Sequence, residues 1–292
     1  KYEKEAKKLN RDIWFLAYIM DTNDEEREKG KTVDVGRAYF NTDKNRYTIL
    51  DAPGHKNYVP NMIKGVTQAD VGILVISARK GEFESGFSKK GQTREHALLA
   101  KTLGVDKLIV VINKMDDKTV NWNKDRYDEI VKTLKPFLRF SCGFKVKTNI
   151  SFIPISGLKG INITKNIPSN LCSWYNKPCL LQQLDEIEIK QKNKIGPLRI
   201  SITDKTTNNN LTIFGKIEQG QCKINDSVIL MPDQIKTNIS FIKLYNNKEI
   251  EMAEVGENIL IGLKGIHHTQ IKPGFIISDE NDIVPVSSRL KV

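Results

Sequence analysis

Leu108-Ile109-Val110-Val111-Ile112-Asn113-Lys114-Met115-Asp116 starts as an unbroken aliphatic run and ends in polar residues around a single methionine. A short run of mostly β-branched residues reads as a strand buried on both faces, the kind found in α/β sheets with helices on each side. Open sheets of that kind bind ligands beyond the carboxyl ends of their strands, which is where Asn113-Lys114-Met115-Asp116 stands. The Asp116 carboxylate can accept two hydrogen bonds from the N1–H and exocyclic amine of guanine. Adenine presents an acceptor at N1 and no amine at position 2, leaving such a carboxylate poorly paired at a cost of about 1–3 kcal/mol or more. Asn113 can tie the loop down, and the Lys114 stem can lie over the ring plane. A second string, Asp51-Ala52-Pro53-Gly54-His55, likewise follows a strand-like run, Tyr47-Thr48-Ile49-Leu50. The Gly54 amide can approach a terminal phosphate closely because no Cβ intervenes, and Asp51 can hold Mg²⁺, through water, since that ion dehydrates reluctantly.

The elements around these strings alternate. Residues 1–20 read as a helix with Leu9, Ile13, Leu16 and Ile19 near one face, and 21–31 as a polar loop. A hairpin runs from 33–40 to 47–50, and a buried strand occupies 71–76. The Gly-bearing segment 81–91 leads to a helix from Thr93 to Gly104. A further helix covers 124–140 with Tyr127, Val131, Leu134 and Leu138 on one face, then a strand at 150–155 ends in Ser156-Gly157-Leu158, and a last helix lies near 180–187. This order predicts an α/β domain with a mostly parallel sheet. From Pro197 the pattern becomes short β-type runs at 198–203, 211–217, 227–231, 238–245, 258–263 and 275–278 punctuated by Gly, Asn, Asp or Pro. That predicts a small antiparallel barrel. The expected divisions are a first domain at 1–187, a charged linker at 188–196, a barrel at 197–285 and the start of a third unit at 286–292.

A nucleotide-binding α/β domain of this type uses a phosphate loop, G-x-x-x-x-G-K-[ST]. The chain contains none: Gly30-Lys31-Thr32 supplies its last three letters, but Glu25 stands where the loop's first glycine belongs, and no strand precedes it. The expectation is a fragment that begins after the phosphate loop and holds the phosphates of GTP poorly on its own. The strand feeding that loop belongs between the one ending at Asp51 and the one at 71–76.

Composition bounds the alternatives. The 292 residues are 39% hydrophobic and 28% charged, as in globular proteins, and no run approaches the ~18 consecutive apolar residues of a membrane span. A net charge of +11 suits a polyanionic partner such as nucleic acid. It equally suits a surface drifted toward Lys and Asn, as at Asn208-Asn209-Asn210. Cys142, Cys172, Cys179 and Cys222 lack C-x-x-C spacing, so reduced cytosolic thiols are expected rather than a metal site or a disulfide framework. His96 reads as a packing or capping residue, His267 and His268 as solvated, and Trp14, Trp122 and Trp174 as core or hinge aromatics.

The chain resembles the translational GTPases, and within them the GTP-binding subunits of eukaryotic peptide-chain release factors. The resemblance rests on Gly30-Lys31-Thr32-Val33-Asp34-Val35-Gly36, on 51–63, on Ala78-Arg79-Lys80-Gly81-Glu82-Phe83-Glu84, on Gly91-Gln92-Thr93-Arg94-Glu95-His96, on 113–116 and on the spacer 120–127. It implies a phosphate-loop GTPase domain followed by a barrel, acting on GTP and GDP with Mg²⁺. Thr32 and Asp51 resemble the metal-binding pair, and Asp51, Ala52, Pro53 and Gly54 the second switch anchor. His55 resembles the catalytic histidine that positions the hydrolytic water. Asn113, Lys114, Met115 and Asp116 match the base-reading string, and Ser156, Gly157 and Leu158 the loop whose amides reach the guanine O6. The implied partners are a class-one release factor and ribosomal RNA, with no membrane or DNA, in the cytoplasm. Lys31 stands where delivery and rescue GTPases carry an apolar residue, which favours termination. A ribosome-rescue GTPase and a nucleotide-free ribosome- or partner-binding fragment are the alternative readings.

Overall fold

A computed structural model of the chain describes residues 32–89, 91–188, 195–207, 211–244 and 247–287. The helix expected at 1–20 with Trp14, the loop through Lys31, most of the linker and the last residues of 286–292 lie outside the described residues. The chain divides into two compact units, parted between Ile189 and Lys190.

In the first unit β3 (Val71–Ser77), β4 (Lys107–Asn113) and β5 (Ile150–Pro154) form a parallel sheet with β4 in the middle. Pairing runs from Val71↔Lys107 to Ser77↔Asn113 on one side and from Leu108↔Ile150 to Ile112↔Pro154 on the other. Leu108 to Ile112 are each 3% exposed or less, which an aliphatic strand covered on both faces requires. The surrounding helices are α1 (Val59–Val66), α2 (Glu82–Phe87), α3 (Gln92–Thr102), α4 (Lys124–Pro136), α5 (Val146–Asn149) and α6 (Leu180–Glu186). The Asn123 side chain caps α4 by accepting from the Arg126 amide at 2.8 Å, a satisfied donor at the helix start. The face expected from spacing holds: Tyr127, Val131, Leu134 and Leu138 are all buried. The α-helix stops at Pro136, however, and Phe137–Ser141 continues as a π-type turn. Proline lacks the N–H that the α ladder needs and crowds the carbonyl four residues before it.

The predicted hairpin is β1 (Gly36–Asn41) with β2 (Arg46–Asp51), paired from Gly36↔Asp51 to Asn41↔Arg46. The Tyr47 and Thr42 hydroxyls both donate to Asp185 of α6, at 2.7 and 2.8 Å, which fastens the hairpin to that helix. Among the described residues β2 and β3 are not paired with each other. Ile49 of β2 and Ile73 and Val75 of β3 are 43, 46 and 59% exposed. Large apolar side chains beside strand edges are what native surfaces usually cover.

The Gly-bearing segment 81–91 contains α2. Phe83 and Phe87 bury its inner face, and the Glu84 carboxylate accepts from the Gly81 amide at 2.6 Å. Gly91 makes room for the turn into α3, since a Cβ there would lie 2.1 Å from the Gly86 oxygen.

The second unit is a closed antiparallel barrel in the order β10-β12-β7-β6-β13-β9. Its strands are β6 (Arg199–Thr206), β7 (Thr212–Gln219), β9 (Ser227–Met231), β10 (Ile235–Leu244), β12 (Asn258–Leu263) and β13 (Ile276–Asp279), each at one of the six expected runs. Inside it Ile200, Ile213, Ile217, Leu230, Ile239, Ile242, Ile259, Ile261 and Ile277 are fully buried. Three-residue strands β8 (Gln221–Lys223) and β11 (Met252–Glu254) pair separately; segments so short carry no periodicity to read. All four cysteines are free and buried. Among the described residues no helix is long and apolar enough to cross a membrane.

Candidate nucleotide site

The loops after β4 and β5 meet at Asn113. Its side-chain oxygen accepts from the Lys114 amide at 2.7 Å and from the Gly157 amide at 2.8 Å, so one residue ties together the two loops that sequence reasoning assigned to the base. Gly157 sits against it: a Cβ there would lie 3.2 Å from Asn113 Nδ2 and 3.3 Å from Oδ1. Lys114 takes a left-handed backbone, φ 62°, uncommon for a residue with a side chain and stabilised here by the Asn113 bond. Met115 is fully buried; its amide donates to the Ile155 carbonyl and its own carbonyl accepts from the Trp122 amide. Met115 is thus the anchor of this loop, leaving the polar neighbours to face outward.

Asp116 is 17% exposed, and its Oδ2 pairs with Lys159 Nζ at 3.2 Å. Ser156 is buried and exchanges backbone hydrogen bonds with Ile161. It bends the chain so that Gly157 and the exposed Leu158 lie at the surface beside Asn113.

The other string lies at the end of β2. Asp51 closes the strand, Pro53 is buried, Gly54 is exposed and His55 is half-buried. His55 Nδ1 accepts from the Asn57 amide at 3.3 Å, capping a short 3₁₀ turn, Lys56–Tyr58, and its ring tilts against Tyr58 with centroids 5.9 Å apart. The first described residues reach the same region: Asn61 Nδ2 donates to the Val33 carbonyl at 2.8 Å. Gly65 of α1 is close to Val35 and Ala52, with a Cβ there 3.3 and 3.2 Å from them. Thr32 therefore stands one residue from a segment that α1 ties to the surroundings of Ala52.

Sequence reasoning missed two neighbours of these strings. His96, read as a packing residue, does pack, and its partner is Gly54: a Gly54 Cβ would lie 3.4 Å from His96 Cε1. Burial pushes the His96 imidazole below its ordinary value, against an opposing hydrogen bond with the Gly54 backbone. Glu82 reaches the base loop, where its Oε2 accepts from Lys114 Nζ at 2.7 Å. That bond, followed by one from Ser77, pulls the Glu82 carboxyl down to about 2. A glutamate 32 residues from its partner leaves no local pattern to read. Of the remaining singled-out residues, His267 and His268 are exposed, with their rings tilted by 50° and centroids 4.1 Å apart. Trp122 is buried, and Trp174 Nε1 donates to its carbonyl at 2.9 Å.

The donor sets fit the groups they were assigned. The Asp116 carboxylate is an acceptor pair that suits the N1–H and amine of guanine, and Asn113 joins the loop carrying it to the loop of Gly157. Thr32 and Asp51 offer hard oxygen donors, few in number, as Mg²⁺ on a nucleotide takes from protein.

Residues 1–192 match the family model described as the elongation factor Tu GTP binding domain. The eukaryotic peptide chain release factor GTP-binding subunit of Zygosaccharomyces rouxii is 49% identical over 97% of this chain and 43% of its own length. That of Candida albicans is 47% identical over 100% of this chain and 40% of its own length. The chain thus spans about two fifths of the length of these curated relatives. A crystal structure of the S. cerevisiae Ski7 GTPase-like domain, bound to GDP and inorganic phosphate, superposes with TM-score 0.75 at 20% identity. It covers 96% of this chain and 68% of that one and bears on the fold alone.

Proposed function

The chain belongs to the family of the elongation factor Tu GTP binding domain, and from that premise we propose that its protein is the GTP-binding subunit of a eukaryotic peptide-chain release factor. It binds and hydrolyses GTP and assists the class-one release factor when a stop codon is read on the ribosome, in the cytoplasm. The observation that carries the reading is the joining at Asn113 of the two loops that carry Asp116 and Gly157. The near-half identity to two such subunits, over nearly all of the chain, supports the termination role.

Within that reading the residues divide their work. Asp116 accepts from the guanine N1–H and amine, and Asn113 ties the Gly157 loop beside it. Lys114 covers the ring, while Ser156, Met115 and the Leu158 turn keep the two loops in place. The Gly54 amide faces the terminal phosphate, supported by Asp51, Ala52 and Pro53. Thr32 and Asp51 hold Mg²⁺, which supplies charge neutralisation at the phosphates when bound. His55 orients the attacking water, its ring held in place where Nδ1 accepts from the Asn57 amide. Hydrolysis of this kind needs positioning and charge stabilisation rather than covalent chemistry, and these side chains offer only positioning and charge. The net charge of +11 supports a ribosomal RNA surface as partner.

The test is GTP hydrolysis by the full-length protein with ribosomes carrying a stop codon. Strong stimulation is expected only when ribosomes and a class-one release factor are both present. Hydrolysis that is indifferent to the release factor overturns the termination role, and absence of GTP binding by the full-length protein overturns the reading altogether.

A further inference from the structure

We propose that Glu82 is a positioning residue for guanine recognition, holding the Lys114 side chain as the platform on which the purine ring lies. The proposal rests on the reading that Lys114 covers the base, and it extends the site to the start of α2, outside both base-reading loops.

Glu82 is itself immobilised. Its Oε2 accepts from Ser77 Oγ and from Lys114 Nζ, both at 2.7 Å, and its Oε1 accepts from Arg79 Nη1 at 3.1 Å. Both carboxylate oxygens are used, and Ser77 is the last residue of β3. Phe83 and Phe87 anchor the helix that carries Glu82 in the hydrophobic core. The Lys114 and Glu82 side chains are 49 and 39% exposed. The Lys114 backbone is fixed by Asn113, but its long, flexible stem takes its fixed end from Glu82. Arg79 adds a second tie to the same loop, pairing through Nε with Asp117 Oδ2 at 3.1 Å, next to the base-reading Asp116. An isolated exposed ion pair contributes little; here the carboxylate belongs to a network whose members fix one another. A stem already held over the ring position has less freedom to lose when the base arrives, so bound nucleotide stays longer.

The experiment uses the full-length protein and a fluorescent GDP, with its dissociation rate followed by stopped flow for Glu82→Gln, Lys114→Met and the double variant. The Glu82→Gln variant is expected to release GDP about two- to ten-fold faster, the range for one immobilised flexible side chain. In the Lys114→Met background the same change is expected to add nothing, because the platform is already gone. An unchanged rate for Glu82→Gln, or an equal increase in both backgrounds, overturns the proposal, since a merely structural glutamate acts regardless of Lys114. Where Glu82→Gln also lowers the melting temperature, its rate is compared with that of Arg79→Gln, which loosens the same segment and keeps the Lys114 contact. Equal rates for those two overturn the proposal, and a faster release from Glu82→Gln supports it. Failure of the underlying base reading looks different: wild-type protein then shows no preference for fluorescent GDP over the adenine analogue.

Discussion

Replacing His55 by alanine in the full-length protein is expected to leave GTP and GDP affinity within a few-fold and to lower ribosome-stimulated hydrolysis by roughly 10²-fold or more. The magnitude is that of a lost positioning group, since small misplacements of a reacting partner cost about this much. Affinity is spared because His55 belongs to the loop after β2, whereas the proposed base contacts belong to the loops after β4 and β5. Its ring is half-buried and doubly constrained, by the Asn57 amide at Nδ1 and by Tyr58, so the position of Nε2 is set by the protein. The substitution also removes the cap of the 3₁₀ turn, a loss of the order of 0.5–2 kcal/mol that stays within that loop. Single-turnover hydrolysis on ribosomes, beside equilibrium nucleotide titration, separates the two effects. A variant that hydrolyses at the wild-type rate refutes the role.

The change Asp116→Asn is expected to move preference from GTP to XTP. Asparagine replaces a double acceptor with one donor and one acceptor, which suits the carbonyl that xanthine carries at position 2. Guanine then faces an amide group where it needs a second acceptor, a penalty of about 1–3 kcal/mol, or roughly ten- to a hundred-fold in affinity. The same substitution removes the charge that pairs with Lys159 at 3.2 Å. Because Asn113, Gly157 and Met115 hold the loop through other bonds, the loop itself is expected to stay in place. Competition binding between GTP and XTP measures the outcome, and an unaltered preference for GTP removes Asp116 from the base edge.

What could be read from the sequence was what repeats locally. The aliphatic run of β4, the one-sided spacing of α4 and the six barrel strands all follow from periodicity and punctuation, and the structure has them within a few residues. The meeting of the loops after β4 and β5 at Asn113 was legible in part for the same reason, since both strings stand directly after such strands. The helix α1 was less visible: it has no side-chain cap and contains Pro60 and Gly65. Proline is nevertheless accepted in the first turn, where its missing N–H has no partner to lose, and Gly65 lets α1 approach Val35. The helix α2 spans only six residues, one of them Gly86, and owes its existence to two buried phenylalanines. Glu82 and His96 act across the fold, and nothing in a neighbouring stretch of sequence announces a contact that only tertiary packing creates.

The buried thiols give the protein an internal clock for its own opening. Cys142, Cys172 and Cys179 lie in the first unit and Cys222 in the barrel, none of them open to solvent. A thiol alkylates as its thiolate. Burial pushes Cys142 and Cys172 above their ordinary value and Cys222 up to about 12, so reaction under native conditions waits for local or global opening. Each unit then writes its opening rate into a different set of cysteines, which mass spectrometry can tell apart without any engineered label. The barrel closes its sheet on itself, whereas among the described residues of the first unit β2 and β3 are not paired with each other and carry exposed Ile49, Ile73 and Val75. In the 292-residue polypeptide, Cys222 is therefore expected to be the last of the four to be modified.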